Sequence, residues 1–291
     1  MTSPTFAVSP ITYTDHLDLT DQRELHDLYG QVTDLAGYAK MIEIEERWIN
    51  PLAASYVESA PHFDNPGHLL RTMKDFIAEE EVASEDDPDG KFLAEEATLD
   101  QFKTVVEQFA LDGLTESEAL LHAVPRLSYR SGMAAFRVLI DELGCGNDDK
   151  AHSQLYRDLL TELGMSIDVA DYRDLTTAAN YGYVNMFHWV ANRAPEPEYF
   201  LGSYTYFETS VLFGFKPFEA AAKRLGISNG SYYSEHLYID TYHSNHMRTA
   251  VRTLENPDLA KVWAGVRLTS DIVAAANSAA IALAREVNHE P

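Results

Sequence analysis

Apolar residues along this chain return three and four positions apart and nowhere alternate over the length of a strand, so the pattern predicts helices and no sheet. From Asp21 to about Val57, Leu25, Leu28, Val32, Leu35, Met41, Ile42, Trp48, Ile49 and Leu52 recur with breaks near Gly37 and at Pro51, giving two helices or one kinked helix. Asn65-Pro66 starts another, His68 to Glu80, and the acidic EEEVASEDDPDGK after it reads as a solvated loop. Phe92 to Leu111 is amphipathic, with Leu99, Phe102 and Val105 on the buried side. Thr115 followed by Glu118 has the capping-box spacing that would start a helix, and Pro125 would kink or end it. Helices then run from Ser131 to Leu143, where GCGN stops the first, and from a cap at Asn147 or Asp148 to Gly164. Segments 172–191 and 197–225, the latter bent at Pro217, a helix after Gly230 to about Leu254, and a last one from Pro257 to about Glu286 complete the set. The expected fold is all-α: an irregular arm over 1–20 with Pro4 and Pro10, then one helical-bundle domain over 21–291.

Composition narrows the class. At 291 residues, 45% hydrophobic and 11% aromatic, the chain can bury a core without covalent staples. Cys145 is the lone cysteine, which excludes an intrachain disulfide, a zinc ribbon and an iron–sulfur site, and fits a reducing compartment. The first residues lack the basic start and apolar core of a signal peptide, and no run approaches the roughly 20 apolar residues of a membrane span, so a cytoplasmic protein is expected. A net charge of −24 argues against nucleic acid and against an anionic membrane surface. It suits a small cationic or zwitterionic substrate.

The chemistry concentrates in YYSEHLYIDTYHSNHM. His236, Asp240 and His243 stand four and seven apart, so a helix points all three one way. Two imidazoles and a carboxylate make a first shell for iron or manganese. On that helix His246 lies well round from them. One helix half-coordinates a metal, so other helices must contribute. In DELGCGNDDKAHSQLY, Asp149 and His152 share a face, and Glu142 joins them only if the turn through Gly144 and Gly146 folds back. In LTESEALLHAV, Glu116 or Glu118 could face inward. Glu208 is the only charge in GSYTYFETSVLFGF, where a bare buried carboxylate would cost several kcal/mol and so calls for a cation.

Together, a helix ending E-x-G-x-G, a His ten residues after that Glu, a Leu-rich helix ending L-G, a Glu in an aromatic helix and a final H-x-x-x-D-x-x-H resemble the heme-oxygenase-like di-iron oxidases. The likeness spans about 95–255 and implies a bundle of about seven core helices with an N-terminal helical extension, holding two Fe(II) ions that reduce O₂. It further implies Glu116, His152, His236, Asp240 and His243 as core ligands, Glu208 as a ligand or close partner, and Glu142 as the additional carboxylate of N-oxygenating members. Asp149 stands where several members carry a longer Glu.

The implied activity is O₂-dependent oxidation or N-oxygenation of a small amine or amino acid. Alternatives are oxidative C–C cleavage, decarboxylation or desaturation by the same metals, and a metal-free hydrolase or binding module of the same fold, for which Cys145 is the available nucleophile. Candidate wall residues are Tyr204, Tyr206, Phe207, Tyr233, Phe187 and Trp189, and Arg126, Arg130 and Arg137 could grip a carboxylate. Such chemistry leaves room for an electron-donor partner, and a homodimer stays open.

Overall fold

The computed structural model describes residues 17–287, and among them the chain is helical with no strand. The first helices are α1 (Leu19–Tyr29), α2 (Leu35–Arg47), α3 (Ile49–Glu58), α4 (Pro66–Ser84), the single turn α5 (Pro88–Lys91), α6 (Leu99–Gln108) and the single turn α7 (Ala110–Gly113). Then come α8 (Tyr129–Glu142), α9 (His152–Glu162), α10 (Ala178–His188), α11 (Glu198–Gly214), α12 (Lys216–Leu225), α13 (Ser231–Thr253) and α14 (Leu259–Glu286). Of the arm expected over 1–20, residues 1–16 lie outside the described residues, and Leu19 and Thr20 already belong to α1.

The core is built on α11 against α14. Gly202 and Gly265 face one another across this crossing, where a Cβ on either would collide with the other helix's backbone, at Val262 O and Tyr199 O respectively. Two hydroxyls lock the contact: Thr269 Oγ1 donates to Ser203 Oγ at 2.7 Å, both buried. With no side chain between them, the backbones meet directly, and bulky neighbours such as Phe200, Tyr204 and Leu268 fill the space on either side. α14 is long and apolar enough to cross a bilayer by length and composition, unlike the reading of the sequence, but half of that window is buried in the fold.

Several boundaries differ from the sequence pattern. Residues 21–57 give three helices, broken at Gly30–Asp34 and at Trp48, with Gly37 inside α2 and Pro51 in the first turn of α3, where proline is tolerated. Asp34 caps α2 by accepting from Gly37 N at 2.9 Å, and this stops α1 from running on. Val32 and Leu35 are therefore exposed at the junction instead of buried. α4 continues past Glu80 to Ser84, so the acidic segment begins as helix. Residues 92–111 split into a π-helical turn (Phe92–Glu96), α6 and α7. Thr98 and Gln101 make the capping box there, and Leu99, just inside it, is exposed. No helix starts at Thr115, whose hydroxyl donates back to Leu111 O at 2.8 Å. That stretch is a turn followed by a 3₁₀ segment, Ala119–Arg126. α9 begins at His152 behind Ala151 with no side-chain cap, leaving Asn147 and Asp148 in the preceding turns.

Candidate metal centre

Two local structures bring distant residues to α13. Glu142 ends α8, and the turn after it runs through positive φ at Gly144 (79°), Cys145 (54°) and Gly146 (84°). A Cβ on Gly144 would sit 2.7 Å from Ala151 N, so glycine lets the turn close onto the start of α9. His152 thereby returns to Glu142, with Nδ1 2.8 Å from Oε2. Glu116 lies in the turn after α7, beside Ser117, a non-glycine residue at φ 67° whose hydroxyl donates to Glu142 Oε2 at 3.3 Å.

α13 meets these groups with His236. Its Nδ1 lies 2.7 Å from Tyr232 O, a carbonyl that can only accept, so Nδ1 carries the hydrogen. Nε2 then faces Glu116 Oε1 at 3.1 Å, while Tyr232 Oη donates to Glu116 Oε2 at 3.1 Å. Without a proton or a cation between them, Nε2 and that carboxylate oxygen are two acceptors face to face. Glu116, Glu142, His152 and His236 form one group whose ligand atoms lie within 4.8 Å of one another.

A second such group joins Glu142 to Glu208, Asp240 and His243. His243 Nδ1 has Asp240 Oδ1 at 3.0 Å, Glu208 Oε2 at 3.1 Å and Glu142 Oε1 at 3.2 Å around it. One ring nitrogen donates at most one proton, so at least two of these three carboxylates crowd it uncompensated. Bonds of about 2.0–2.2 Å from a first-row metal would place neighbouring ligand atoms about 3 Å apart, the spacing found here. His152 Nδ1 and Asp240 Oδ1 are buried, and each has only a group of this cluster within reach, Glu142 Oε2 and His243 Nδ1 respectively. An all-nitrogen and oxygen donor set, buried and crowded in this way, fits an iron-type cation, and Glu142 belongs to both groups.

The electrostatics follow from the crowding. Burial would lower His236, but the charge and hydrogen bond of Glu116, with Asp240 and Glu142, outweigh it and hold the imidazole at about 10. Burial would raise Glu142, and the imidazoles of His152, His243 and His236 instead keep its carboxyl well below the usual range. Asp240 is pushed well up, by burial first and the Glu208 charge second.

Two cavities adjoin the groups. The smaller, about 30 Å³, is lined by Glu116, Glu142, Glu208, His236 and Asp240 and closed by Tyr204, Phe187, Phe207 and His188. That is room for about two water-sized guests. The larger, about 230 Å³, is walled mainly by aromatic side chains, and Asp112 and Phe207 belong to both walls.

A family model for iron-containing redox enzymes matches residues 103–273. The chain belongs to that family. All seven residues of the two groups fall within the matched span of this iron-containing redox enzyme. It is also similar to nitrosourea synthase from Streptomyces achromogenes subsp. streptozoticus, 25% identical over 146 residues, which is 50% of this chain and 31% of that protein. The chain thus aligns with less than a third of the curated relative's length. Among solved structures, a CADD-like protein of unknown function from Nostoc punctiforme superposes with a TM-score of 0.59 at 17% identity, over 75% of this chain and 98% of the other, and shares the heme-oxygenase-like helical fold.

The redox enzyme's other sequence candidates divide. Tyr206, Phe207 and Tyr233 line the larger cavity, and Tyr204 and Phe187 the smaller one, whereas Trp189 lines neither and packs edge-on against Tyr199. The three arginines make no carboxylate clamp. Arg126 donates to the carbonyls of Ala191 and Ala194, in and just after the π-helical turn Trp189–Arg193 that follows α10, and Arg130 and Arg137 are exposed. Asp149 and Glu118 are exposed too, because α9 starts only at His152 and no helix turns Glu118 inward. Cys145 is exposed and its thiol donates to Asp141.

Sequence reasoning missed Asp112, which accepts from Tyr183 Oη at 2.9 Å and is pushed up to about 7, chiefly by burial and next by the Glu116 charge. The signal was there: a carboxylate in the apolar run FALDGL is the feature that marks Glu208. It also missed Asp141, whose Oδ2 lies 3.5 Å behind His243 Nε2.

Proposed function

We propose that this redox enzyme is a non-heme di-iron, O₂-dependent oxidase or N-oxygenase acting on a small amine or amino acid. Glu116, His152 and His236 would hold one iron, Glu208, Asp240 and His243 the other, and Glu142 would be shared. The observation that carries the reading is Glu142, the one side chain common to both ligand groups. Loaded with ferrous iron, such a site would supply electrons to O₂, and the activated oxygen would take electrons from a substrate held against it.

The chain's own part is to orient and to exclude. The Tyr232 carbonyl fixes the His236 tautomer, and its phenol holds the far oxygen of Glu116. Ser117 steadies Glu142. Tyr204, Phe187 and Phe207 close the smaller cavity to little more than two waters, which protects an oxidising site from side reactions. The likeness to nitrosourea synthase supports nitrogen as the atom oxidised. The size and apolar walls of the larger cavity favour a second reading, desaturation or C–C cleavage of a carbon chain by the same irons.

Anaerobic Fe(II) titration with metal quantification tests the site. Two equivalents are expected in the wild type, with His152→Ala and His236→Ala each losing at least one. Unchanged uptake in both variants would remove the assignment. Products from a panel of amines and fatty acids after O₂ addition then choose between the two readings.

A further inference from the structure

The larger cavity carries a charge pattern that its apolar character hides. Its wall contains no lysine, arginine or histidine, and its two charged residues, Asp112 and Glu80, are both acids. They are not equally provided for. Glu80 accepts from Tyr206 Oη at 2.8 Å and Ser270 Oγ at 2.5 Å, and the Arg267 charge also reaches it. Asp112 accepts one hydrogen bond among the described residues, from Tyr183, and the charges that reach it are those of two further acids, Glu116 and Glu142, against the single imidazole of His236. An ionised carboxylate has about four acceptor sites, so this one is left short of donors.

Position sharpens the contrast. Asp112 lies on both cavity walls, at the edge of the space bounded by the proposed ligands, whereas Glu80 lines only the larger cavity. A guest anchored at Asp112 has its head beside the metal centre and its body among rings, where Phe207, Tyr183 and Tyr232 offer apolar contact and faces for a cation. A carboxylate in the larger cavity at the same place would meet the acid Asp112 and no lysine, arginine or histidine on that wall.

We propose that the larger cavity takes an amine with an apolar body, and that Asp112 holds its ammonium at the edge of the metal centre. This rests on the proposed di-iron reading for its purpose, though not for its binding chemistry. It makes a free carboxylate on the substrate unfavourable, in contrast to the arginine clamp expected from the sequence.

The test is calorimetric binding of 2-phenylethylamine, neutral 2-phenylethanol and anionic 3-phenylpropanoate to the metal-free and the anaerobically Fe(II)-loaded protein. The amine should bind at least tenfold tighter than the alcohol, and the acid should give no heat. Asp112→Asn should bring the amine to the level of the alcohol while the alcohol's affinity and iron uptake hold, and Asp112→Glu should restore part of the preference. Glu80→Gln should leave the preference standing. Equal binding of amine and alcohol by the wild type, binding of the acid, no binding of any probe, or an amine preference that survives Asp112→Asn would each overturn the inference. The wild-type ranking decides the matter if Asp112→Asn does not fold. A wild type that ranks the probes as expected yet takes up no iron would sink the di-iron reading and leave this one in place.

Discussion

Buried His236 and half-buried His188 stand on the wall of the same small cavity, and they end with opposite charge preferences. His236 sits among carboxylates, which carry it to about 10 against the effect of burial. His188 sits among rings, stacked on Tyr29 with centroids 5.4 Å apart and edge-on to His26. Burial lowers it to about 4, with His26 and His122 adding to the effect. His236 is the more deeply buried of the two and yet the one that favours its charged form, so neighbours and not depth decide which side can hold a cation. The acid side is built to be completed by positive charge, while the ring side repels it and presents an uncharged face to whatever enters.

The largest change should come from Glu142→Ala, which takes the shared carboxylate from the acid side. Both iron equivalents should weaken, beyond the ~10–100-fold typical of losing a supporting residue, as read by competition with a chelator. Loss of a single equivalent would mean that Glu142 serves one group only. On the ring side the effect is one of pH. The folded pKa of His188 lies below the unfolded value of about 6.5, so the unfolded chain takes up a proton that the folded chain refuses. Stability is therefore lost as pH falls through about 6.5, and the loss is complete below about 4, amounting to about 3 kcal/mol. His188→Phe keeps a ring against Tyr29 and should flatten the fall in melting temperature between pH 7 and 4.5. An equal fall in both proteins would show that His188 is protonated in the fold.

The two sides were not equally legible in the sequence. His236, Asp240 and His243 could be read because one regular helix converts spacing into direction, and Glu208 because apolar neighbours single it out. Glu116 could be tied to the site only by resemblance. Its turn has no period to read, and the capping pattern at Thr115 pointed to a helix that the Thr115–Leu111 hydrogen bond replaces. Arg126 looked like an anchor until α10 ended in a π-helical turn, Trp189–Arg193, that offers it carbonyls. Glu80 was passed over because it borders an acidic run, and the helix continuing to Ser84 sets it against Ser270. Register within a helix survives in the sequence, whereas the path of a turn depends on what it packs against.

Turn geometry is thus where the acid side should be most fragile. Gly144→Ala puts a Cβ at φ 79° against Ala151, and a strained residue of this kind costs about 1–3 kcal/mol. The His152 group should lose its iron equivalent while the group on α11 and α13 keeps the other. Metal content and denaturant midpoint together measure this, and retention of both equivalents would show that His152 does not depend on the turn.

Tyr232→Phe should have the smallest and most selective effect. It removes a single phenol that holds Glu116 Oε2 at 3.1 Å, and it leaves the backbone carbonyl that fixes His236 untouched. Affinity at the first group should fall ~10–100-fold with the second unchanged. Because the ring still packs edge-on against Tyr156 and His236, the melting temperature should barely move. A change at both groups would mean that the two are coupled through Glu142 more strongly than through their separate helices, and the division of the acid side into two halves would have to be given up.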